Sequence, residues 1–455
     1  MANKSNSMDM INGSLAGKMI KFAMPIAAST ILQQLFNSAD VAVVGHFVGS
    51  DALAAVGSNS AVISMFVTLI TGLSVGANVI IAKLIGENRK EKISNAVHTS
   101  FSFSLICGLF LLIVGLIISR PVLEFISTPE NVLDSAVLYL RIYFIGIPFI
   151  VIYNFCSAML RSIGDTKRPL YCLVLSGIIN VVLNLFFVIV LKMGVAGVAL
   201  ATVLSNVFST ILVTVFLVKE KSELKLDLKK LNFDKTVLKQ IIVIGLPAGI
   251  QGMVFSISNV CIQSGINSFG SDAVAGSSTG LNFEYFTYYI ANAFSQAAVT
   301  FTSQNYGAGK IDRCRKTCHI CWIEGMVFTA ILSLIFTFKI DSWIMIYTND
   351  PAVAEYAKIR MMHVMILEFM TCIYEVPCSV MRGMGRSLTP SILTIIGSCG
   401  FRILWLYTIF RKVHTFDMLM SVYPVSWIFT MSMVLTAYFI VMKKERKNMK
   451  VSAPL

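Results

Sequence analysis

A chain of 455 residues that is 56% hydrophobic and only 13% charged, with a mean hydropathy of +0.76, falls outside the ordinary soluble class, where about 25% of residues carry charge. A net charge of +13 would point to nucleic acid in a soluble protein. Here the lysines and arginines lie mostly in short loops between apolar runs, so they report membrane topology and no nucleic-acid partner is expected. The composition predicts an all-α polytopic membrane protein.

The stretch from Met1 to Gly17 is polar and the first apolar run is too long for a signal core, so the first helix is expected to remain as an anchor. Taking roughly 20 mainly apolar residues per crossing, the first half predicts helices near 16–46, 53–82, 94–119, 133–159, 169–191 and 195–218. The first of these holds the run Gln33-Gln-Leu-Phe-Asn-Ser-Ala-Asp-Val-Ala-Val-Val-Gly45. An ionised aspartate at bilayer depth costs roughly 2.5–3.5 kcal/mol, so Asp40 is expected to face protein or a water-filled cavity and to mark an ion or proton path. Asn37 and Gln33 lie on its helical face, and with Gln34 they are candidates to line a substrate cavity. Pro25, Pro148 and Pro377 each remove a backbone donor within a span. Pro25, about 22 Å of helix before Asp40, is the candidate kink. In the fifth helix Asn180 and Asn184 share a face at four-residue spacing. Amides in a span need partners that lipid does not supply, and this pair serves either helix packing or a polar site.

The only long hydrophilic connector runs from Lys219 to Lys239 and divides the chain into an N-terminal bundle (1–218), a basic cytoplasmic connector (219–239) and a C-terminal bundle (240–455). Six further helices are predicted near 238–268, 273–303, 316–338, 353–381, 388–411 and 417–442. The second half echoes the first: Ser50-Asp-Ala-Leu-Ala-Ala55 matches Ser271-Asp-Ala-Val-Ala-Gly276, Gly86 matches Gly307, and Arg161, Gly164 and Pro169 match Arg382, Gly385 and Pro390, all at an offset of 221. This duplication predicts twelve transmembrane helices in two six-helix bundles related by a pseudo-twofold axis along the membrane normal, with a midplane cavity at their interface. Basic residues of the termini and of loops after even-numbered helices, among them Lys4, Lys18, Arg89, Lys90, Arg168, Lys310, Arg313, Arg386 and Lys443, far outnumber the opposite set of Arg120, Lys192, Lys339, Arg411 and Lys412. Both termini are therefore expected in the cytoplasm.

The second half has its own buried ionisable groups: Glu284 on the eighth helix, Glu368 and Glu375 on the tenth, and Arg402 on the eleventh. By depth, at about 1.5 Å per residue, Glu284 or Glu368 is expected to partner Arg402, and these three join the cavity candidates. Ten cysteines are scattered through apolar runs, where cysteine behaves as a small hydrophobe. Cys314, Cys318, His319 and Cys321 form a stripe on the ninth helix but lack paired-ligand spacing, so no metal site is expected. Nothing resembles a phosphate-binding loop or a nucleophile triad, which argues against an enzyme.

These motifs together resemble the multidrug and toxic compound extrusion (MATE) family. The resemblance rests on Pro25 with the Gln33–Gly45 run, on Ser50-Asp-Ala-Leu-Ala-Ala-Val-Gly57, on Leu160-Arg-Ser-Ile-Gly-Asp-Thr-Lys-Arg-Pro169, on Ser303-Gln-Asn-Tyr-Gly-Ala-Gly-Lys310 and on Met381-Arg-Gly-Met-Gly-Arg-Ser-Leu-Thr-Pro390. It implies two six-helix bundles forming a V in the cell inner membrane, a monomer that expels cationic or amphipathic drugs against inward flow of protons or, second in order, sodium ions, with no other cofactor. It also implies a coupling site at Asp40 with Asn180, Asn184 and Thr202. Two departures stand out. Asn184 occupies a position where many relatives carry a second aspartate, and the seventh-helix glutamate of other branches has no counterpart between Pro247 and Ser258. Alternatives to be separated by flux measurements are a flippase for lipid-linked saccharides, for which the first-half spans offer only Arg141 away from their ends, and a receptor or scaffold without transport.

Overall fold

The computed structural model describes residues 7–451, and among these there is no strand. Lipid offers no hydrogen-bond partners, so a spanning chain satisfies its backbone groups within helices. The first half forms α1 (Ala16–Phe47), α2 (Ser50–Gly86), α3 (Lys90–Phe125), α4 (Glu130–Ser162), α5 (Lys167–Leu185), a π-helical turn over Phe186–Val190, and α6 (Gly194–Val218). The second half begins with α7 (Lys235–Asn267), α8 (Ser271–Gly307), α9 (Ile311–Thr337) and a short α10 (Ile340–Ile344). The last three predicted crossings are each interrupted. The tenth comprises α11 (Pro351–His363), a 3-10 turn over Met365–Met370 and α12 (Thr371–Gly383). The eleventh comprises α13 (Leu388–Thr394), a π turn over Ile395–Gly400, α14 (Phe401–Trp405) and a second π turn over Leu406–Phe410, and the twelfth comprises α15 (Phe416–Met420) and α16 (Val422–Val451). The chain ends and Lys4 lie outside the described residues.

Eleven crossings are long and apolar enough to span a bilayer among the described residues. The twelfth, α8, has 37 residues, as many as α2, and it is less apolar because Asn282, Glu284, Tyr285, Tyr288, Tyr289, Asn292 and Gln296 interrupt it. The chain is a multi-pass membrane protein.

The duplication extends to backbone geometry. Gly49 and Gly270, which precede α2 and α8, have φ of 119° and 93°, and Gly164 and Gly385 have φ of 90° and 84°. Each pair is 221 residues apart, at turns whose left-handed backbone favours glycine.

The described residues fall into two compact units, one built from Ala28–Gly249 with the chain start to Met8, the other from Asp9–Ala27 with Ile250–Leu455. The divisions therefore fall inside helices, just past Pro25 in α1 and just past Pro247 in α7. α1 continues through Pro25 as one helix.

Within the first unit, α7 reaches α2 through a crossing of small residues. A Cβ on Gly72 would sit 2.2 Å from the Gly249 nitrogen, one on Gly76 2.2 Å from the Ile241 oxygen, and one on Gly245 2.6 Å from the Leu73 oxygen. Gly72 with Gly76 and Gly245 with Gly249 are two small-xxx-small pairs, which let helix backbones approach closely in lipid. The connector also belongs to this unit and is bound along its course. Leu224 and Leu226 are buried, the Asp227 N–H donates to His98 Nε2 at 3.0 Å, and Asn95 donates to Asp234 at 2.7 Å. The basic connector is thus docked on the start of α3.

Candidate functional site

In the first unit, Asp40 near the end of α1 is 9% exposed, and Val44, one turn on, belongs to a core with Val56, Tyr139, Val188 and Val198. Its carboxylate is met by α5 and α6. Asn184 Nδ2 donates to Oδ1, and Thr202 Oγ1 stands 3.4 Å from Oδ2. The Thr202 hydroxyl has a single proton, and it also reaches the Val198 carbonyl at the shorter distance of 3.0 Å, so Asn184 is the stronger donor. Asn180, one turn earlier on α5, engages the same carboxylate, and among the described residues no basic side chain acts on it. From α4, Tyr139 and Tyr143 stack with ring centroids 6.4 Å apart and lie within electrostatic reach of Asp40. The Oδ1 atoms of Asn180 and Asn184 are buried and have no hydrogen-bond partner among the described residues. The site therefore consists of one carboxylate, two amides and a hydroxyl, with oxygen lone pairs unused. The π turn directly after Asn184 is a local irregularity of the kind that often marks functional positions.

Gln33 and Asn37 are exposed and Gln34 is half-buried. The donors to the Asp40 carboxylate come from other helices.

In the second unit the expected pairing of Arg402 is corrected. Glu284 on α8 pairs with Arg360 on α11, whose Nε and Nη2 donate to Oε2 at 3.0 and 2.8 Å while Nη1 donates to Ser277 at 2.8 Å. The cause lies one turn away. A Cβ on Gly276 would meet the Val353 carbonyl at 2.4 Å, and one on Gly280 would meet the Arg360 side chain at 3.2 Å, so these two glycines let α11 lie against α8 and deliver Arg360 to Glu284. Arg402, 1% exposed, is instead held by neutral groups. It donates to Ser426 at 3.2 Å and to Asn259 at 3.4 Å, and its guanidinium lies 5.0 Å from the Phe255 ring centroid and 4.5 Å from that of Tyr423. Tyr423 is also 5.5 Å from the Arg360 guanidinium. Glu368 is buried at 3% exposure, feels both arginines electrostatically, and leaves Oε2 without a hydrogen bond. It forms no ion pair with Arg402 among the described residues. Glu368 lies on the 3-10 turn and Arg402 on the short α14 between two π turns.

Sequence reasoning missed Arg360 and the half-buried Glu324 of α9. Both were visible as charges inside predicted spans 353–381 and 316–338. The cysteine stripe does not converge on a ligand: Cys314, Cys318 and Cys321 are buried while His319 is exposed.

A family model described as MatE matches the chain twice, over residues 25–186 and 247–408, once in each half of the duplication. The probable multidrug resistance protein YoeA of Bacillus subtilis is 25% identical over 436 residues, covering 93% of this chain and 94% of that protein. The probable multidrug resistance protein NorM of Thermotoga maritima is 27% identical, covering 83% of this chain and 82% of that protein. Among solved structures, MATE in complex with MaL6 aligns with a TM-score of 0.91 at 21% identity over 98% of this chain and all 100% of the other. An outward-facing multidrug resistance MATE family transporter of the MOP superfamily aligns with a TM-score of 0.89, again at 21% identity, over 98% and 100% of the two chains. The structural likeness establishes the fold, and the family model, matched in both halves, establishes the relationship: the chain belongs to the MatE family, a family of membrane transporters and not of enzymes.

Proposed function

We propose that this protein exports cationic or amphipathic drugs and toxic compounds by antiport with protons. The observation that carries the reading is the setting of Asp40, a buried carboxylate held, among the described residues, by the neutral donors Asn184, Thr202 and Asn180. With no arginine or lysine among the described residues to neutralise it, a proton is the simplest means of removing its charge within the membrane. An antiporter needs a site at which the driving ion and the substrate oppose one another, and a carboxylate that is protonated in one state and free in another meets that need. Protons are favoured over sodium because one carboxylate with neutral amides and a hydroxyl is a sparse site for a sodium ion. The names of the relatives, multidrug resistance and multidrug export proteins, support the substrate class. In this reading the protein works as a monomer in the cell inner membrane with both termini in the cytoplasm, as the distribution of basic loop residues suggests.

The test is efflux of ethidium from proteoliposomes under an imposed pH gradient. Asp40→Asn should keep the protein folded and abolish gradient-driven efflux. Wild-type efflux by that variant would place coupling elsewhere, and a requirement for sodium in the wild-type protein would replace the proton as driving ion.

A further inference from the structure

At the end of the second unit that holds the start of α9 and the last turns of α16, a groove of about 500 Å³ lies between the two helices. Two stripes at helical spacing line it: Ile311, Arg315 and His319 from α9, and Phe439, Met442, Lys443, Arg446 and Lys447 from α16. Its floor is apolar and its rim is basic. Asp312 is the one acid of the lining and is already paired with Arg446 at 3.7 Å. The neighbouring Glu445 is turned away and bound by Arg386 and Tyr306. Arg315, Lys443 and Lys447 have no ion pair among the described residues, and all three are exposed. The α9 N-terminus, with the positive end of its helix dipole, adds to the same field. Tyr438 lines the groove at 4% exposure, and apart from the neighbouring Cys318 thiol its hydroxyl has no hydrogen-bond partner among the described residues.

We propose that this groove binds an anionic phospholipid of the surrounding leaflet, with the phosphate among Arg315, Lys443 and Lys447 and an acyl chain along Met442 and Phe439. Two observations select this occupant. The cations exceed the acids by more than the groove itself neutralises, which favours a net anionic headgroup over a zwitterionic one. Phe439 is 60% exposed and the adjoining Ile440 63% exposed one turn from the basic rim, so an apolar tail continues directly from the charged end, as a membrane lipid requires and a soluble anion does not. Basic pockets between transmembrane helices at the membrane border recognise anionic headgroups on this principle.

The experiment is a lipid titration of the full-length protein in detergent, followed by native mass spectrometry, with phosphatidylglycerol and phosphatidylethanolamine compared at one ionic strength. Phosphatidylglycerol should be retained preferentially. The triple variant Arg315→Gln, Lys443→Gln, Lys447→Gln should bind it about a hundredfold more weakly, and the single variant Lys443→Gln, which serves if the triple variant does not fold, roughly fivefold more weakly. The control Arg411→Gln, Lys412→Gln, which removes two exposed cations outside the groove, should bind like wild type. Equal retention of phosphatidylethanolamine, unchanged binding of phosphatidylglycerol by the groove variants, or equal loss in the control would overturn the proposal. Displacement of the lipid by millimolar inorganic phosphate would show a site for a soluble anion instead.

Discussion

Arg360 places two guanidinium nitrogens on one carboxylate oxygen of Glu284, at 3.0 and 2.8 Å, and both side chains are largely withdrawn from solvent, at 5% and 14% exposure. Removing one partner of a buried pair leaves the other charge uncompensated, at a cost of about 3–5 kcal/mol. Arg360→Ala should therefore lower thermal stability in detergent sharply, and Arg360→Ala with Glu284→Gln should recover part of the loss. In a double-mutant cycle the Arg360 and Glu284 changes should couple more strongly than Arg402 and Glu284. Stronger coupling to Arg402 would contradict the assignment.

The Asp40 site predicts a ranking of its donors. Asn184→Leu removes the principal donor, a bond to a charged group worth about 1.5–3 kcal/mol, and should impair coupled efflux severely. Thr202→Val should be mild, because that hydroxyl is 3.0 Å from the Val198 carbonyl and 3.4 Å from Asp40. Parallel transport assays on the two folded variants check the order, and a Thr202→Val defect as large as that of Asn184→Leu would reverse it.

The crossing of α2 and α7 predicts intolerance to a single methyl group. In Gly72→Ala the added carbon would lie 2.2 Å from backbone nitrogen, so the helices must separate. Overpacking of this kind costs about 1–3 kcal/mol. The melting temperature of the variant should fall clearly, whereas Gly57→Ala on the same helix, where a Cβ meets nothing within 4 Å, should be close to neutral.

A pH dependence follows from the group that closes the end of α6. Burial alone would raise the carboxyl pKa of Glu220, but the Arg168 guanidinium, at 2.7 Å, together with the Lys221 and Ser222 N–H groups, holds it below its ordinary 4.5. A depressed carboxylate contributes stability that is present above its unfolded value and lost as pH falls through the folded one. Stability in detergent should thus decline on acidification below about pH 4.5. Glu220→Gln should lower stability at neutral pH and flatten this acid limb, and an unchanged limb would remove Glu220 from the account.

The connector gives a topology test. Lys229 is exposed in a segment docked on α3, so Lys229→Cys on a background without reactive cysteines should react with a membrane-impermeant maleimide only when the cytoplasmic side is opened. Labelling in intact cells would invert the proposed orientation.

Helix number, the duplication and the first-helix acid were legible in the sequence because each rests on local chemistry. Apolar runs of spanning length, repeated motifs 221 residues apart and a carboxylate inside an apolar run need no knowledge of neighbours. The duplication even carried the left-handed glycines Gly49 and Gly270 to matching turns. Asn180, Asn184 and Thr202 were placed with Asp40 by family resemblance, and the fold brings their helices together. The sequence alone misplaced what depends on helix rotation and approach. Glu284 and Arg402 agree in depth, yet depth says nothing about azimuth, and the close approach at Gly276 and Gly280 gives Glu284 to Arg360. Only packing assigns Asp9–Ala27 to one unit and the first half of α7 to the other, because a helix belongs to whatever its surface can bury against.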